Sequence, residues 1–172
     1  GHPIAGTERS GVDASFASLY VGRRVVVTPL AENRPEAVSR VRAMWEAAGA
    51  DVVIMSVEHH DEVLAATSHL PHLLAYALVD MLARLDDKRE IFSFAAGGFR
   101  DFTRIASSDP TMWRDISVAN QTAIAHMLRM YRDELERLID AVERGDGNGL
   151  QEVFARAKAA RDALISNDNR KE

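Results

Sequence analysis

The sequence predicts a mainly helical protein in which a short α/β region, residues 1–56, precedes an all-helical region, residues 57–172. Two features of the chain predict this class. Near the start, two β-branched runs flank one amphipathic helix. From residue 57 onward, apolar residues recur at steps of three, four and seven, which is the spacing of one face of a helix.

The α/β region contains one strand–helix–strand unit. Residues 24–29 are β-branched and closed by a proline, which is typical of a strand. Pro35 opens an amphipathic helix that Gly49 ends, and residues 51–56 form a second strand, apolar on both faces as in a buried parallel sheet. Because two strands make a poor sheet alone, we expect this unit to be the βαβ remnant of a larger α/β domain.

The first residues, Gly-His-Pro-Ile-Ala-Gly-Thr-Glu, have no initiator methionine and read like the middle of a protein. We therefore expect the chain to be a fragment, either an engineered truncation or a proteolytic product. His2 precedes a proline, which favours an extended backbone. We expect a loop that presents this imidazole to a ligand, where a pKa of about 6.5 suits proton transfer. The alternative is a disordered terminal residue.

The first long helix of the helical region contains a polar stretch around Pro71. Because Pro71 has no N–H and its ring clashes with the carbonyl of Thr67, we expect the helix to bend or open near Thr67. His69 and His72 are three residues apart and lie on one face, beside Ser68. This stretch either binds a ligand at the kink or holds two structural histidines.

Three further helical segments follow. We expect a short helix over residues 99–106 and a second helix that Asp109 caps, with Pro110 at its first position. The longest helix carries apolar residues at alternating steps of four and three, which is a coiled-coil-like seam: Ile124, Leu128, Tyr131, Leu135, Leu138 and Val142. Glycines within residues 145–149 end it, and a last amphipathic helix begins near Leu150.

Composition restricts the possible partners. The 172 residues carry a net charge of −5, which argues against nucleic acid or an anionic membrane as partner. There is no cysteine, so disulfides and thiolate chemistry are excluded, and a cytoplasmic location is expected. The sequence shows neither a membrane-spanning run nor a signal-peptide pattern.

Other candidate chemistries have weaker signals. Asp101 and Arg104 are spaced as a helix surface pair, although Arg104 can also act as a fork for a carboxylate. Four histidines are potential metal ligands: His59, His60, His69 and His72. The sequence contains no His-Glu-x-x-His motif, so we expect no metal site. The sequence has no Gly-x-Gly-x-x-Gly after a strand, and hence no phosphate-binding turn.

Several motifs, taken in order, resemble the prephenate dehydrogenase family. They are His-Pro-Ile-Ala-Gly-Thr-Glu at residues 2–8, Ser-His-Leu-Pro-His at 68–72, Gly-Gly-Phe-Arg-Asp-Phe-Thr-Arg-Ile-Ala at 97–106, and Met-Trp-Arg-Asp-Ile at 112–116 with Asn120. The resemblance extends to about Gly145. The half of the family's dinucleotide-binding domain that carries the glycine fingerprint is absent from the sequence.

The resemblance implies a Rossmann-type remnant followed by a helical substrate-binding and dimerisation domain. It implies an NAD- or NADP-dependent oxidative decarboxylation of prephenate to 4-hydroxyphenylpyruvate in tyrosine biosynthesis. His2 matches the family's catalytic histidine and Arg104 its carboxylate-binding arginine. The pocket-lining residues would be Ser68, His69 and His72, and the acidic partners of Arg104 would be Glu8 and Asp101.

The resemblance also implies partners and alternatives. A homodimer would form through helices within residues 57–165, and the small-molecule ligand would be prephenate or tyrosine. The chain alone is expected to be inactive. The alternatives are an arogenate dehydrogenase and a non-catalytic helical dimerisation module that binds tyrosine as a regulator.

Overall fold

The computed structural model describes residues 1–5 and 11–168. Its internal contacts divide the chain into two compact units, Gly1–Ala125 and His126–Glu172. The domain boundary expected after residue 56 stays a prediction. The mainly helical fold, with a small sheet near the start, is confirmed. None of the described helices is both long enough and apolar enough to cross a membrane.

The sheet of the first unit has three strands in the order β1-β2-β3: His2–Pro3, Arg24–Val27 and Asp51–Ile54. Strands β2 and β3 are parallel, with Arg24 opposite Asp51. Strand β1 was not predicted: residues expected to form a loop pair antiparallel with β2, with His2 opposite Val26. The proline-restricted backbone is already extended, and Ile4 N donates to Arg24 O at 2.8 Å.

Helix α1, Pro35–Ala47, connects the two parallel strands as predicted, and Gly49 follows it with φ +85°. Val25 and Val27 form the core on this side, covered by Trp45. The expectation that the second strand is buried on both faces was wrong. Ile54 of β3 is 49% exposed, because β3 lies at an edge of the described sheet.

The long helix after the sheet is interrupted by a π-helical turn. Its parts are α2 (Val57–Leu64), the π turn (Ala65–His69) and α3 (Leu70–Ala83). The predicted opening near Thr67 is confirmed, because a wider turn accommodates the ring and the missing N–H of Pro71. Ser56 Oγ accepts from His59 N at 3.1 Å and caps α2.

Shorter helices complete the first unit. The segment expected over residues 99–106 is an α-helix that tightens into a 3₁₀ turn ending at Ser107. Asp109 Oδ1 accepts from Met112 N at 2.8 Å, so the predicted cap is confirmed. The helices are α4 (Lys88–Ser93), α5 (Gly97–Thr103) and α6 (Pro110–Ala119).

The second unit contains most of α7, Gln121–Glu143, and all of α8, Gly147–Asp168. Gly145, with φ +63°, ends α7. Helix α8 begins three residues before the predicted start, because Asp146 Oδ1 accepts from Gly149 N at 2.9 Å and caps it. The predicted seam is helical, and most of its side chains in this unit are exposed: Leu128, Tyr131, Leu135 and Val142.

Candidate functional site

An open cavity of about 990 Å³ lies in the first unit, beside the start of the sheet and the π turn. Its polar lining comes from both elements and from the segment before β2: His2, Arg23, Thr67, Ser68 and His72, together with the indole of Trp113. Three of the predicted site residues, His2, Ser68 and His72, therefore line one cavity. Such a concave surface with a few polar groups is typical of a small-molecule site.

His2 is held at the cavity by strand β1 and by a second imidazole. His2 Nδ1 and His60 Nε2 are 2.8 Å apart, and the two rings meet edge to face. His60 Nδ1 is in turn 2.9 Å from Asp61 Oδ1. A carboxylate, an imidazole and a second imidazole therefore form a continuous chain that ends at the cavity wall.

The surroundings of His2 disfavour its charged form. Partial burial lowers the pKa of His2, and the charge of nearby His60 lowers it further. A lowered pKa keeps the imidazole neutral at and below neutral pH. His2 can therefore accept a proton in the state that the structure favours.

His72 and Trp113 form one wall of the cavity. Their rings stack with centroids 3.7 Å apart and planes at 19°. His72 Nδ1 donates to Ser68 O at 2.8 Å, which leaves Nε2 as an acceptor. Trp113 Nε1 is buried and finds no hydrogen-bond partner among the described residues, so ring contacts hold the indole in place.

His69 lies behind this wall rather than on it. The residue is 8% exposed, and its ring meets the Trp113 ring edge to face at 6.1 Å. Asn120 Nδ2 lies 3.3 Å from His69 Nδ1 and also donates to Asp61 O at 2.8 Å. Burial is the main cause that lowers the pKa of His69, followed by the charges of His2 and His60. His69 is therefore a neutral acceptor that links α6 to α2.

The predicted carboxylate-binding group is not among the described residues that line this cavity. Asp101 and Arg104 lie at the end of α5, and both side chains are exposed. Glu8, the other predicted acidic partner of Arg104, lies outside the described residues. Arg23, by contrast, lines the cavity. Arg23 had no signal in the sequence that distinguished it from other surface arginines.

The site gives little support for a metal or for cofactor phosphates. In the described part of the chain, no group of three or more potential ligands could hold a metal ion. A dinucleotide pyrophosphate needs a glycine turn between a strand and a helix. Two strand-to-helix turns are described, residues 28–34 and 55–56, and neither contains a glycine. We therefore assign no residue of this chain to the pyrophosphate.

The sequence analysis did not identify the residues that lie behind the cavity wall. His60 was considered only as a possible metal ligand, and Asn120 and Trp113 only as parts of motifs. The adjacent His60-Asp61 pair was the available signal, because a carboxylate next to an imidazole can fix its tautomer. Nothing in the sequence showed that the pair contacts His2.

The comparisons with known proteins agree with this fold. Residues 56–156 match the family model "Prephenate dehydrogenase, dimerization domain", and residues 1–54 match "Prephenate dehydrogenase, nucleotide-binding domain". The cyclohexadienyl dehydrogenase of Zymomonas mobilis is 42% identical over 165 residues, which cover 95% of this chain and 56% of that protein.

Solved structures of similar proteins have the same fold. Prephenate dehydrogenase from Aquifex aeolicus, in complex with hydroxyphenyl propionate and NAD⁺, has a TM-score of 0.89 and 40% identity over 95% of this chain and 57% of that chain. Arogenate dehydrogenase from Synechocystis has a TM-score of 0.83 and 28% identity over 95% of this chain and 60% of that chain.

The fold and the comparisons first define a class: an α/β unit followed by helices, as found in a group of dehydrogenases. Within that class, the chain belongs to the prephenate dehydrogenase family. It spans about half the length of the curated relatives that it matches.

Proposed function

We propose that this chain is the substrate-binding and dimerisation part of an NAD- or NADP-dependent prephenate dehydrogenase. The protein would convert prephenate to 4-hydroxyphenylpyruvate and CO₂. One observation is the main support: His2, whose pKa is lowered, lines the same cavity as Ser68 and His72. A neutral imidazole beside a polar wall is what the deprotonation of a bound alcohol requires.

His2 would move one proton during the reaction. A nicotinamide cofactor would supply the acceptor for the C4 hydrogen of prephenate, which leaves as a hydride. His2 would take the proton of the C4 hydroxyl. The C–C bond to the ring carboxylate then breaks, and its electron pair passes through the ring to the C4 oxygen. His2 returns the proton to that oxygen, so the aromatic product is a phenol and no net proton is released. Positioning and proton transfer are the contributions of the protein, because aromatisation drives the loss of CO₂.

The two carboxylates of prephenate call for cationic or hydrogen-bonding partners. We propose Arg104 for one of them, with Glu8 and Asp101 as its acidic partners, following the family's motif. The placement of Arg23 on the cavity makes it the rival for this role. A planar guanidinium binds a carboxylate through two parallel hydrogen bonds, so either arginine has the required chemistry. Ser68 and His72 can donate to or accept from the rest of the substrate, and we propose that His69 supports this wall.

We propose that residues beyond this chain hold the cofactor, and that the chain alone does not turn over. Its sequence contains no Gly-x-Gly-x-x-Gly motif, which supports this proposal. NAD and NADP stay alternatives, because the choice depends on groups that contact the ribose.

We propose that the protein is a homodimer that associates through helices within residues 57–165. The apolar seam of α7 supports this, because four of its six side chains are exposed in a single chain although their spacing suits helix packing. The match to a dimerisation domain over residues 56–156 supports it independently, and it also supports the proposed boundary after residue 56.

Arogenate is the second candidate substrate, favoured by the likeness to the Synechocystis arogenate dehydrogenase. Arogenate carries an ammonium group where prephenate carries a keto group. Comparing kcat/KM for the two compounds decides between them.

The experiment that tests the proposal is His2→Ala in the full-length protein, with the formation of the reduced cofactor measured on prephenate. We expect kcat to fall roughly 100- to 10,000-fold, as is typical when a general base is removed. His59→Ala is the matched control, because His59 is a neighbouring exposed histidine. An unchanged kcat would exclude His2 as the base. A wild-type protein that binds tyrosine without oxidising either substrate would indicate the non-catalytic module instead.

A further inference from the structure

We infer that Asp61 and His60 are positioning residues that hold His2 in the tautomer a base needs, with its proton on Nδ1 and a lone pair on Nε2. This inference rests on the proposed role of His2. It assigns a function to two residues that do not line the cavity and do not contact its contents.

The first step is the contact between Asp61 and His60. Asp61 Oδ1 and His60 Nδ1 are 2.9 Å apart. An ionised carboxylate can only accept a hydrogen bond, so Nδ1 of His60 must carry the proton. In a neutral imidazole the other nitrogen then has a lone pair. Asp61 therefore makes Nε2 of His60 an acceptor.

The second step is the contact between His60 and His2. His60 Nε2 lies 2.8 Å from His2 Nδ1, a distance at which one nitrogen must donate and the other accept. Since His60 Nε2 accepts, His2 Nδ1 must donate. The proton of neutral His2 is thus fixed on Nδ1, and Nε2 is the nitrogen left to receive the substrate proton. The same hydrogen bond persists after His2 becomes charged, because Nδ1 stays protonated.

The surroundings agree with these proton positions. Burial and the nearby imidazole of His60 on α2 both disfavour a positive charge on His2. On the neighbouring π turn, His69 is affected by His2, His60, Asp61 and His72, and its pKa is also lowered. The neutral forms of His2 and His69 are therefore favoured. With His60 neutral as well, a chain of imidazoles that ends at an ionised carboxylate has only one consistent donor order.

The backbone under the pair is also fixed. Asn120 Nδ2 donates to the carbonyl of Asp61 at 2.8 Å, which ties α2 to the end of α6. The side chain of His60 is 19% exposed and that of Asp61 is 40% exposed, so solvent reaches the carboxylate more than the imidazole.

The test is Asp61→Asn in the full-length protein. The amide has the same shape but no charge, and its Nδ2 can donate to His60 Nδ1. In that orientation the proton of His60 lies on Nε2 and His2 Nδ1 must accept. His2 Nε2 then carries the proton and cannot act as a base. We expect kcat to fall roughly 10- to 100-fold. KM should change less than about twofold, since Asp61 does not contact the substrate.

A second readout does not depend on turnover. In protein labelled with ¹⁵N-histidine, the imidazole nitrogen shifts of His2 report which nitrogen is protonated. We expect Nδ1–H in the wild type and Nε2–H in Asp61→Asn. Asp80→Asn is the matched control, because it neutralises an exposed carboxylate that pairs only with Arg84 among the described contacts. It should change neither kcat nor the tautomer.

The outcomes separate this inference from the proposed function. An unchanged kcat and an unchanged His2 tautomer in Asp61→Asn, with an active wild type, would overturn the positioning role alone. Loss of activity with an unchanged tautomer would overturn it as well. If the wild type does not oxidise prephenate or arogenate, the proposed function fails, while the tautomer change still tests the contact chain. His60→Ala should lower kcat as much as the double variant His60→Ala/Asp61→Asn, because the two residues act through one contact.

Discussion

The two compact units of the chain differ in what they bury. The first unit buries an apolar core and the polar side chain of His69, and a chain of hydrogen bonds at its surface connects Asp61 to His2. In the second unit, none of the residues 126–164 is buried, although many are large and apolar. Val142, for example, is 64% exposed, and Phe154 is 57% exposed. The first unit therefore has a buried core and a hydrogen-bonded site, while none of the described side chains of the second unit is buried.

This difference indicates two separate tasks. Buried polar groups cost stability unless each is paired, so a structure retains them where they hold a site in place. Exposed apolar stripes on long helices expose hydrocarbon to water, so they are expected where a second chain covers them. Variants in one unit should therefore change catalysis, and variants in the other should change association.

The largest expected effect is on association. Leu135→Glu places a carboxylate in the seam of α7, and in a symmetric dimer it does so twice. Burying unpaired charges costs several kcal/mol, so we expect the dissociation constant of the dimer to rise by roughly 1,000-fold. Light scattering over a dilution series measures the mass. Arg137→Glu, on the opposite face of the same helix, is the control. If the variant dimer is as tight as the wild-type dimer, the seam is not part of the interface.

The second effect concerns substrate binding in the first unit. Arg104→Ala should raise KM for prephenate roughly 30- to 100-fold and leave dimer mass unchanged, because a charge-assisted pair with a carboxylate is lost. Initial rates give KM, and Arg100→Ala on the same helix is the control. Arg23→Ala is the decisive comparison. If it raises KM and Arg104→Ala does not, Arg23 is the carboxylate ligand.

The smallest effect is a pH dependence of stability. The pKa values of His2 and His69 are lowered in the folded state, so below about pH 6.5 the unfolded chain binds more protons. The free energy of unfolding should therefore fall as pH falls from about 6.5 towards the lower folded values. Urea unfolding followed by tryptophan fluorescence reports the first unit, since Trp45 and Trp113 both lie there.

The variant His69→Asn tests how much His69 contributes to this pH dependence of stability. The amide oxygen of the asparagine can still accept from Asn120, but it does not titrate, so the slope of stability against pH should become shallower. His126→Asn changes an exposed histidine of the second unit and serves as control. A slope that is equally steep in His69→Asn would show that His69 does not contribute to it.

Local patterns were sufficient to predict most helices and part of the site. The seam of α7 and the turn opened by Pro71 follow from side-chain period and from the missing N–H, which are properties of neighbouring residues. His2, Ser68 and His72 were found through motifs, and the structure places them around one cavity.

What the sequence did not show depends on contacts between distant residues. His60 and Asp61 gain their geometry from His2, 58 residues earlier than His60, and no helical or strand period encodes that contact. Strand β1 was missed for the same reason, since two residues form a strand only when β2 lies beside them. The exposure of Ile54 depends on how many strands flank β3, which its own sequence does not record.

The π turn at Ala65–His69 also sets the angular phase of the helix that contains it. Such a turn holds about one residue more than an α-helical turn, and one residue corresponds to a rotation of about 100° around the helix axis. The faces before and after it are therefore offset, so one continuous helix directs His60 towards the sheet and His72 towards Trp113. A straight α-helix with the same residues would point these two imidazoles in different relative directions.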